Sequence, residues 1–312
     1  MPVLPPSPLR LALSLMLLWG CTADTPSEAP GPAIAPVGQA DTPQQRAEAL
    51  IAASPFNDHA APLAASLGLH VTLVPTRTPM DSVPTGASRL AGWPDVPAGF
   101  EWPVFGEEPM ALLAQIDLAD VKTHAPDSGL PDSGWLYFFW AMEKGSWGYE
   151  SEDTDTFAVR YHEGPVEGLT RAAPPPGLPE LALALEPCKL AFEPGVSLPD
   201  WRDLRYPKDM DLEGQLEAWY ELSVRVMGQE PPRGTLHHLL GHAQLVQGDS
   251  RGAAATHRGG EKADWNLLLQ LETDEPGPNW MWGDAGTVYF LLRDEDLEAR
   301  RFDQAWLVAQ SY

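Results

Sequence analysis

Two pairs of polar residues are placed where they could do chemistry: Gln115 with Asp117 in LLAQIDL, and Gln270 with Glu272 in LLLQLETD. Converging in one groove, Asp117 and Glu272 would give a hydrolase the acid and base it needs within reach of one bound atom. Without catalysis the same groups would hydrogen-bond a ligand. His238 and His242 have the i, i+4 spacing of a zinc peptidase, but Leu239 stands where the catalytic glutamate belongs and Gly241 argues against a helix. No metal or other cofactor is therefore implied, and His237 is read as satisfying a backbone group in a turn. No GxSxG, P-loop or GxGxxG is present, and neither Ser88 nor Ser133 lies in a nucleophile elbow. Cys188 beside Lys189 is either an activated thiol or a structural one. The carboxylates Asp117, Asp120, Glu272, Asp274 and Asp284 either gather around Ca²⁺ or form a solvated rim, and their spacing is not that of an EF-hand loop. Trp280, Trp282 and Asp284 in WMWGD read two ways: as a sugar- or peptide-binding edge, or as core tryptophans packed on a turn.

The elements that must position these groups follow from local pattern. Thr42, Pro43 and Gln45 form a capping box that predicts a helix to about residue 53. Strands are expected at 71–74, at 110–118 ending on Gln115 and Asp117, at 130–140 after a turn, at 158–162, at 265–271 and at 287–292. Residues 171–179 read as a linker or surface loop, with little order beyond them until 209. A helix over 209–228 places Leu212, Leu216, Trp219 and Val226 on one face. Residues 250–260 read as a mobile loop, and Asp296 with Arg300 as an i, i+4 ion pair on a short helix.

Composition narrows the classes. The chain has 312 residues, is 44% hydrophobic and carries 33 prolines and 27 glycines, which fits a globular body of many short elements joined by turns. A formal net charge of −24 excludes nucleic acid as a partner, since its phosphates would be repelled. That acidity serves either solubility or an acidic face for cations or a basic partner.

The N-terminus reads as an export signal. Residues 11–19 (LALSLMLLW) are too few to span a bilayer but suit a secretory apolar segment after Arg10. Leu18-Trp19-Gly20-Cys21 then resembles a bacterial lipobox, although Trp19 is bulkier than the usual residue there. The expected organisation is a lipoprotein-type signal peptide at 1–20, a lipidated Cys21 with a Pro-rich tether to residue 41, and a globular domain at 42–312. Twenty such tether residues reach roughly 25 Å or more from a membrane surface. The predicted location is the cell envelope, lipid-anchored, with Thr22 in place of a retention aspartate pointing to the outer membrane. Cys188 would then be the one mature thiol, which leaves no intramolecular disulfide.

An internal duplication underlies the rest. SRLAGWP at 88–94 aligns with HHLLGHA at 237–243, LLAQID at 112–117 with LLLQLE at 267–272, and GWLYFF at 134–139 with GTVYFL at 286–291. The predicted fold is therefore α+β and β-rich: a single internally duplicated body, its β units related by a pseudo-two-fold axis, with repeat halves at about 88–165 and 237–312. A groove between the copies is the default ligand site.

These blocks, together with HHLLGHAQLVQGD and the run WMWGDAGTVYFLLRDEDLEARRFDQAWLVAQSY, resemble the YwqG-like family of bacterial proteins of unknown function over residues 88–312. The resemblance implies an internally repeated, β-rich body; Ala243 stands where the family usually has proline. Because some relatives lie among toxin and immunity genes, it also implies a protein that binds and neutralises a partner, by association alone. The expected function is a membrane-tethered, non-enzymatic binding protein, immunity-like in the sense of holding a protein partner. The alternatives are the carboxylate hydrolase and a purely structural envelope protein. Candidate binding residues are Arg89, Trp93, Gln115, Asp117, His237, Gln270, Glu272, Trp282 and Asp284.

Overall fold

The computed structural model describes residues 42–202, 210, 212, 214–231 and 234–312. The expected signal peptide, the lipidated Cys21 and the tether lie outside these residues. Among the described residues no helix is long and apolar enough to cross a membrane.

Helix α1 (Pro43–Ala52) begins as its capping box requires: Thr42 Oγ1 accepts the Gln45 N–H at 3.2 Å and Gln45 Oε1 accepts the Thr42 N–H at 2.9 Å. After α2 (Ala60–Ala65) comes the long strand β1 (Gly68–Arg77). The first repeat follows, with β2 (Arg89–Leu90), β3 (Asp95–Pro97), the small hairpin β4 (Val104–Phe105) and β5 (Glu108–Pro109), β6 (Ala111–Asp117), α3 (Leu118–His124), β7 (Trp135–Trp140) and β8 (Phe157–His162). Strand β9 (Leu169–Arg171), α4 (Glu180–Leu183), β10 (Cys188–Ser197) and α5 (Leu216–Val226) connect it to the second repeat. That repeat holds β11 (His237–Leu240), α6 (Arg251–Arg258), β12 (Trp265–Glu272), β13 (Thr287–Arg293), α7 (Asp294–Glu298) and β14 (Trp306–Gln310).

Ten strands form one antiparallel sheet, nearly closed into a barrel, in the order β14-β13-β12-β11-β1-β10-β2-β6-β7-β8. This order is a palindrome in repeat units. The four strands of the second copy and the four of the first flank a central β1–β10 pair, with the pseudo-two-fold axis between β1 and β10. The equivalence extends to single residues. Arg89 pairs with Gln115 in one copy and His238 with Gln270 in the other. Each copy has a bulge at the same point, between Leu112 and Ala114 and between Leu267 and Leu269. Each turns out of its first strand through a left-handed pair, Ala91 with Gly92 (φ 57 and 77) and Leu240 with Gly241 (φ 71 at the glycine). A non-glycine residue held there in both copies marks a turn that the duplication preserved.

The barrel interior explains why 135–140 reads as an unbroken apolar run. Leu136, Phe138 and Trp140 enter the interior, while Trp135, Tyr137 and Phe139 pack outside under Phe100 and Trp102. The seam between the end strands is closed by side chains and backbone: Phe157 of β8 meets Trp306 of β14 edge-on at 5.3 Å, Tyr161 meets Phe302, and the Ala309 backbone donates its N–H to the Trp147 carbonyl. Near the chain end, Gln310 gathers four groups. Its Oε1 accepts the Val246 and Gln247 N–H groups, and its Nε2 donates to Tyr149 Oη and Gly248 O. Outside the sheet, α1, α2 and α5 form a second small core in which Phe56 meets Trp219 at 5.4 Å.

Four local expectations are corrected. The strand β10 lies in the stretch after 179 where no strand was expected, and it is central to the sheet; its alternating burial from Cys188 to Phe192 is the period-two signal, and Pro194-Gly195 hides it. Residues 250–260 are mostly helix α6, packed beside β12 and β14, not a mobile loop. On α5, Leu216 points outward and Leu222 joins Trp219 and Val226 in the core. Asp296 pairs with Arg293 and Arg301, while Arg300 reaches Glu163.

Candidate functional site

The duplication gives the molecule two equivalent corners, and they are built differently. In both, the glutamine of the second strand accepts a backbone N–H from the loop after the left-handed turn: Asp95 N–H to Gln115 Oε1 at 2.6 Å, Gln244 N–H to Gln270 Oε1 at 2.8 Å. In both, the tyrosine of the third strand donates to the carbonyl of that loop residue: Tyr137 Oη to Asp95 O, Tyr289 Oη to Gln244 O. In both, the residue before β2 or at the start of β11 accepts the N–H of the strand-end carboxylate residue: Asp117 N–H to Ser88 Oγ, Glu272 N–H to His237 Nδ1. The frame is the same; the filling is not.

At the first corner the frame is filled by charge. Arg89 and Asp95 have no exposed side chain and pair at 2.9 Å, and Arg171 reaches in from β9 to the same carboxylate at 2.9 Å. The other donors of Arg89 go to Ala87 O, Trp93 O and Gln115 Oε1. Burial pushes the Asp95 carboxyl up, but the Arg171 and Arg89 guanidiniums and the Gly86 N–H outweigh it and hold the group below its usual value. Burial brings the Arg89 guanidinium down to about 10, so it stays charged at neutral pH. With its partners supplied from inside the protein, this corner is sealed.

At the second corner Gln244 stands in the place of Asp95 and a cavity of about 450 Å³ opens. One stripe of α5, Leu216, Trp219, Tyr220 and Ser223, lines it at helical spacing. Facing that stripe are Glu272 and Thr273 at the end of β12, Gln244 to Val246, Ala285 to Thr287, Thr235, Tyr312 and the segment Asp200-Trp201-Arg202. Trp201, Leu216, Tyr220 and Tyr312 are large apolar residues that remain exposed, so the cavity wall is aromatic as well as polar. Glu272 Oε2 accepts the Leu236 N–H at 2.9 Å and its Oε1 accepts from Gln270 Nε2. Arg202 donates to both Asp200 oxygens at 3.1 Å and to Leu245 O, and lies 4.6 Å above the Trp201 ring.

The candidate residues from the sequence divide accordingly. Gln270 and Glu272 are at the open corner, and Glu272 lines the cavity. Arg89 and Gln115 are inside the sealed corner, where the Trp93 carbonyl also lies. Asp117 caps α3 by accepting the Ala119 N–H, and burial raises its carboxyl above the usual value. Asp117 and Glu272 are not brought together. Neighbouring strands are antiparallel throughout, and β12 is third and β6 eighth in the order, so the two run in opposite senses. Both carboxylates sit at C-terminal strand ends, hence at opposite ends of the barrel. His237 is buried on a strand, with Nδ1 accepting the Glu272 N–H and Nε2 meeting Asp274 at 3.2 Å, so neither nitrogen is open for acid–base work. That hydrogen bond, ahead of the opposing effect of burial, keeps the Asp274 carboxyl low. Trp282, 2% exposed, packs on Trp140 and Trp280 in the core and is no ligand edge, while Asp284 is at the surface. Cys188 is buried and its thiol is pushed up to about 11 by burial, which makes it a structural residue. Among the described residues no group of three or more His, Cys, Asp or Glu side chains is arranged to hold a metal ion.

Residues 88–310, which include both corners, match the family model described as a domain of unknown function (DUF1963). The chain belongs to this family. No curated protein matches it. Strand β1, half of the central pair, lies before the DUF1963 match, and so do α1 and α2. The cavity is walled almost entirely from within the matched region, with Tyr312 just beyond it. Sequence reasoning missed Trp201, Arg202, Tyr220 and Tyr312. A signal for Tyr220 existed in the adjacent Trp219-Tyr220: neighbours on a helix point apart, so one of two large aromatics had to face away from the core.

Proposed function

We propose that this protein is a non-enzymatic binding protein whose ligand occupies the cavity at the second corner. The observation that carries the reading is the opening of that corner, in a frame that the first copy fills with its own side chains. The cavity volume falls in the range of small-molecule sites, and its mixture of aromatic faces with a few fixed polar groups has the character of one. The site expected between the copies is thereby relocated to one end of the second copy. Catalysis by paired carboxylates has no support in the geometry, because Asp117 and Glu272 occupy opposite ends of the barrel.

The lipobox-like Leu18-Trp19-Gly20-Cys21 supports a tethered form in the cell envelope, and the YwqG-like resemblance supports the immunity-like variant in which a partner protein presents the bound group. The test is equilibrium dialysis of the full chain against a mixture of small metabolites, with retained compounds identified by mass spectrometry. The control is Leu216→Trp, which narrows the cavity at a residue 48% exposed and outside both cores. Compounds retained by the native chain and lost in Leu216→Trp are expected. Equal retention by both proteins would overturn the reading.

A further inference from the structure

Resting on the reading of the cavity as a ligand site, we propose that its ligand is a neutral saccharide: a sugar ring that lays its C–H face on the aromatic wall and hydrogen-bonds through its hydroxyls.

Charge is the first discriminator. Each of the three charged side chains described in the wall already has partners within the chain. Asp200 and Arg202 pair at 3.1 Å, Arg202 also donates to Leu245 O, and Glu272 accepts the Leu236 N–H and the Gln270 amide. An ionic ligand would leave water for a wall whose charges are engaged, and burying an ion without a countercharge is costly. A neutral ligand meets no such cost.

Hydrogen-bond capacity is the second. Gln244 gives its Nε2 to His242 O, and among the described residues nothing donates to its Oε1. Thr273 Oγ1 accepts the Trp282 N–H, and among the described residues its own proton has no acceptor. Thr235 Oγ1 donates to Thr273 O, which leaves it as an acceptor. Open acceptors beside an open donor suit hydroxyl groups, since each hydroxyl both donates and accepts.

Shape is the third. Trp201 and Tyr312, in the same wall, are 43% and 80% exposed. Arg202 lies 4.6 Å over the Trp201 ring and holds it in place, so the indole is oriented before a ligand arrives. Flat apolar faces beside neutral polar groups call for a molecule with both characters. A sugar ring has an apolar C–H face and a rim of hydroxyls; an aliphatic alcohol would use the polar groups alone, and an aromatic hydrocarbon the rings alone.

Saturation-transfer NMR of the full chain at neutral pH tests this. The neutral probes are glucose, N-acetylglucosamine, cellobiose, maltose and trehalose, run beside glucosamine, glucuronate and 2-phenylethanol. Saturation is expected on at least one neutral sugar, strongest on the C–H protons of one ring face, and not on glucosamine or glucuronate. Trp201→Ala and Tyr312→Ala, at exposed positions outside the hydrophobic cores, are each expected to weaken that sugar about tenfold. A charged sugar or 2-phenylethanol bound more tightly than every neutral sugar would overturn the class while leaving the cavity reading in place. Sugar binding unchanged in both variants would overturn its assignment to this wall. No sugar bound, beside metabolites lost in Leu216→Trp, would overturn the class alone. No sugar and no such metabolite would overturn both.

Discussion

The first repeat closes its corner with Arg89, Asp95 and Arg171, whereas the second leaves the equivalent corner to Gln244, Glu272 and a cavity. Both copies keep the glutamine clamp, the tyrosine strut and the left-handed turn, so those parts belong to the frame. What differs between copies is what occupies the frame: ions from inside the protein in one, space open to solvent in the other. In a duplicated fold that contrast separates residues kept for architecture from residues free to bind.

The sharpest way to break the comparison is to remove one ion. Asp95→Ala leaves Arg89 buried beside a missing carboxylate and should cost about 3–5 kcal/mol by urea unfolding. Gln244→Ala, at the matching position, should cost no more than ~1 kcal/mol, because its side chain makes a single amide bond to His242 O. Equal losses would mean that the two corners do the same structural task.

The second contrast is in acid. At the β1–β11 junction beside the open copy, His70 is buried with its ring 5.2 Å from His238, and burial, then the charges of His238 and His242, hold its pKa well below 6.5. Below that value the unfolded chain takes up a proton that the folded chain refuses, so stability falls as pH drops from 6.5 toward the depressed folded pKa. The slope from this one group approaches ~1.4 kcal/mol per pH unit, readable as urea midpoints between pH 7.5 and 5. His70→Gln should flatten that slope. The matching β10–β2 junction, where Cys188 faces Leu90 and Lys189 faces Arg89, has no imidazole to titrate.

A smaller effect is expected in the cavity wall. Ala285 holds φ at 58, and Ala285→Gly should raise stability by about 1 kcal/mol in thermal unfolding. The smallest is at Cys188: its thiol should stay silent to a disulfide reagent at pH 8 and react at the rate of global unfolding, with no change in ligand binding.

Much of the frame was legible because the duplication writes it twice. LLAQID against LLLQLE paired Gln115 with Gln270, though as ligand-binding groups rather than clamps, and GWLYFF against GTVYFL aligned the segments that carry Tyr137 and Tyr289 without marking either tyrosine. The cavity was not legible, since its aromatic wall comes from Trp201, Tyr220 and Tyr312, none of which lies in an aligned block. Trp282 misled for a related reason: a tryptophan beside a turn looks the same in sequence whether the turn faces the core or solvent. The central strand β10 was masked by its own Pro194-Gly195, which in sequence marks a break yet here sits within a paired strand.

Gln310 has a meaning for the order in which the chain is made. Its four bonds tie the 246–248 segment to Tyr149, and it lies on β14, the last strand of the barrel in chain order. Strand β1, synthesised early, likewise waits for β11 to cover one edge. Until β14 has been made, the sheet lacks one of the two edges that meet at the seam, so the barrel is fastened only after all its other strands exist.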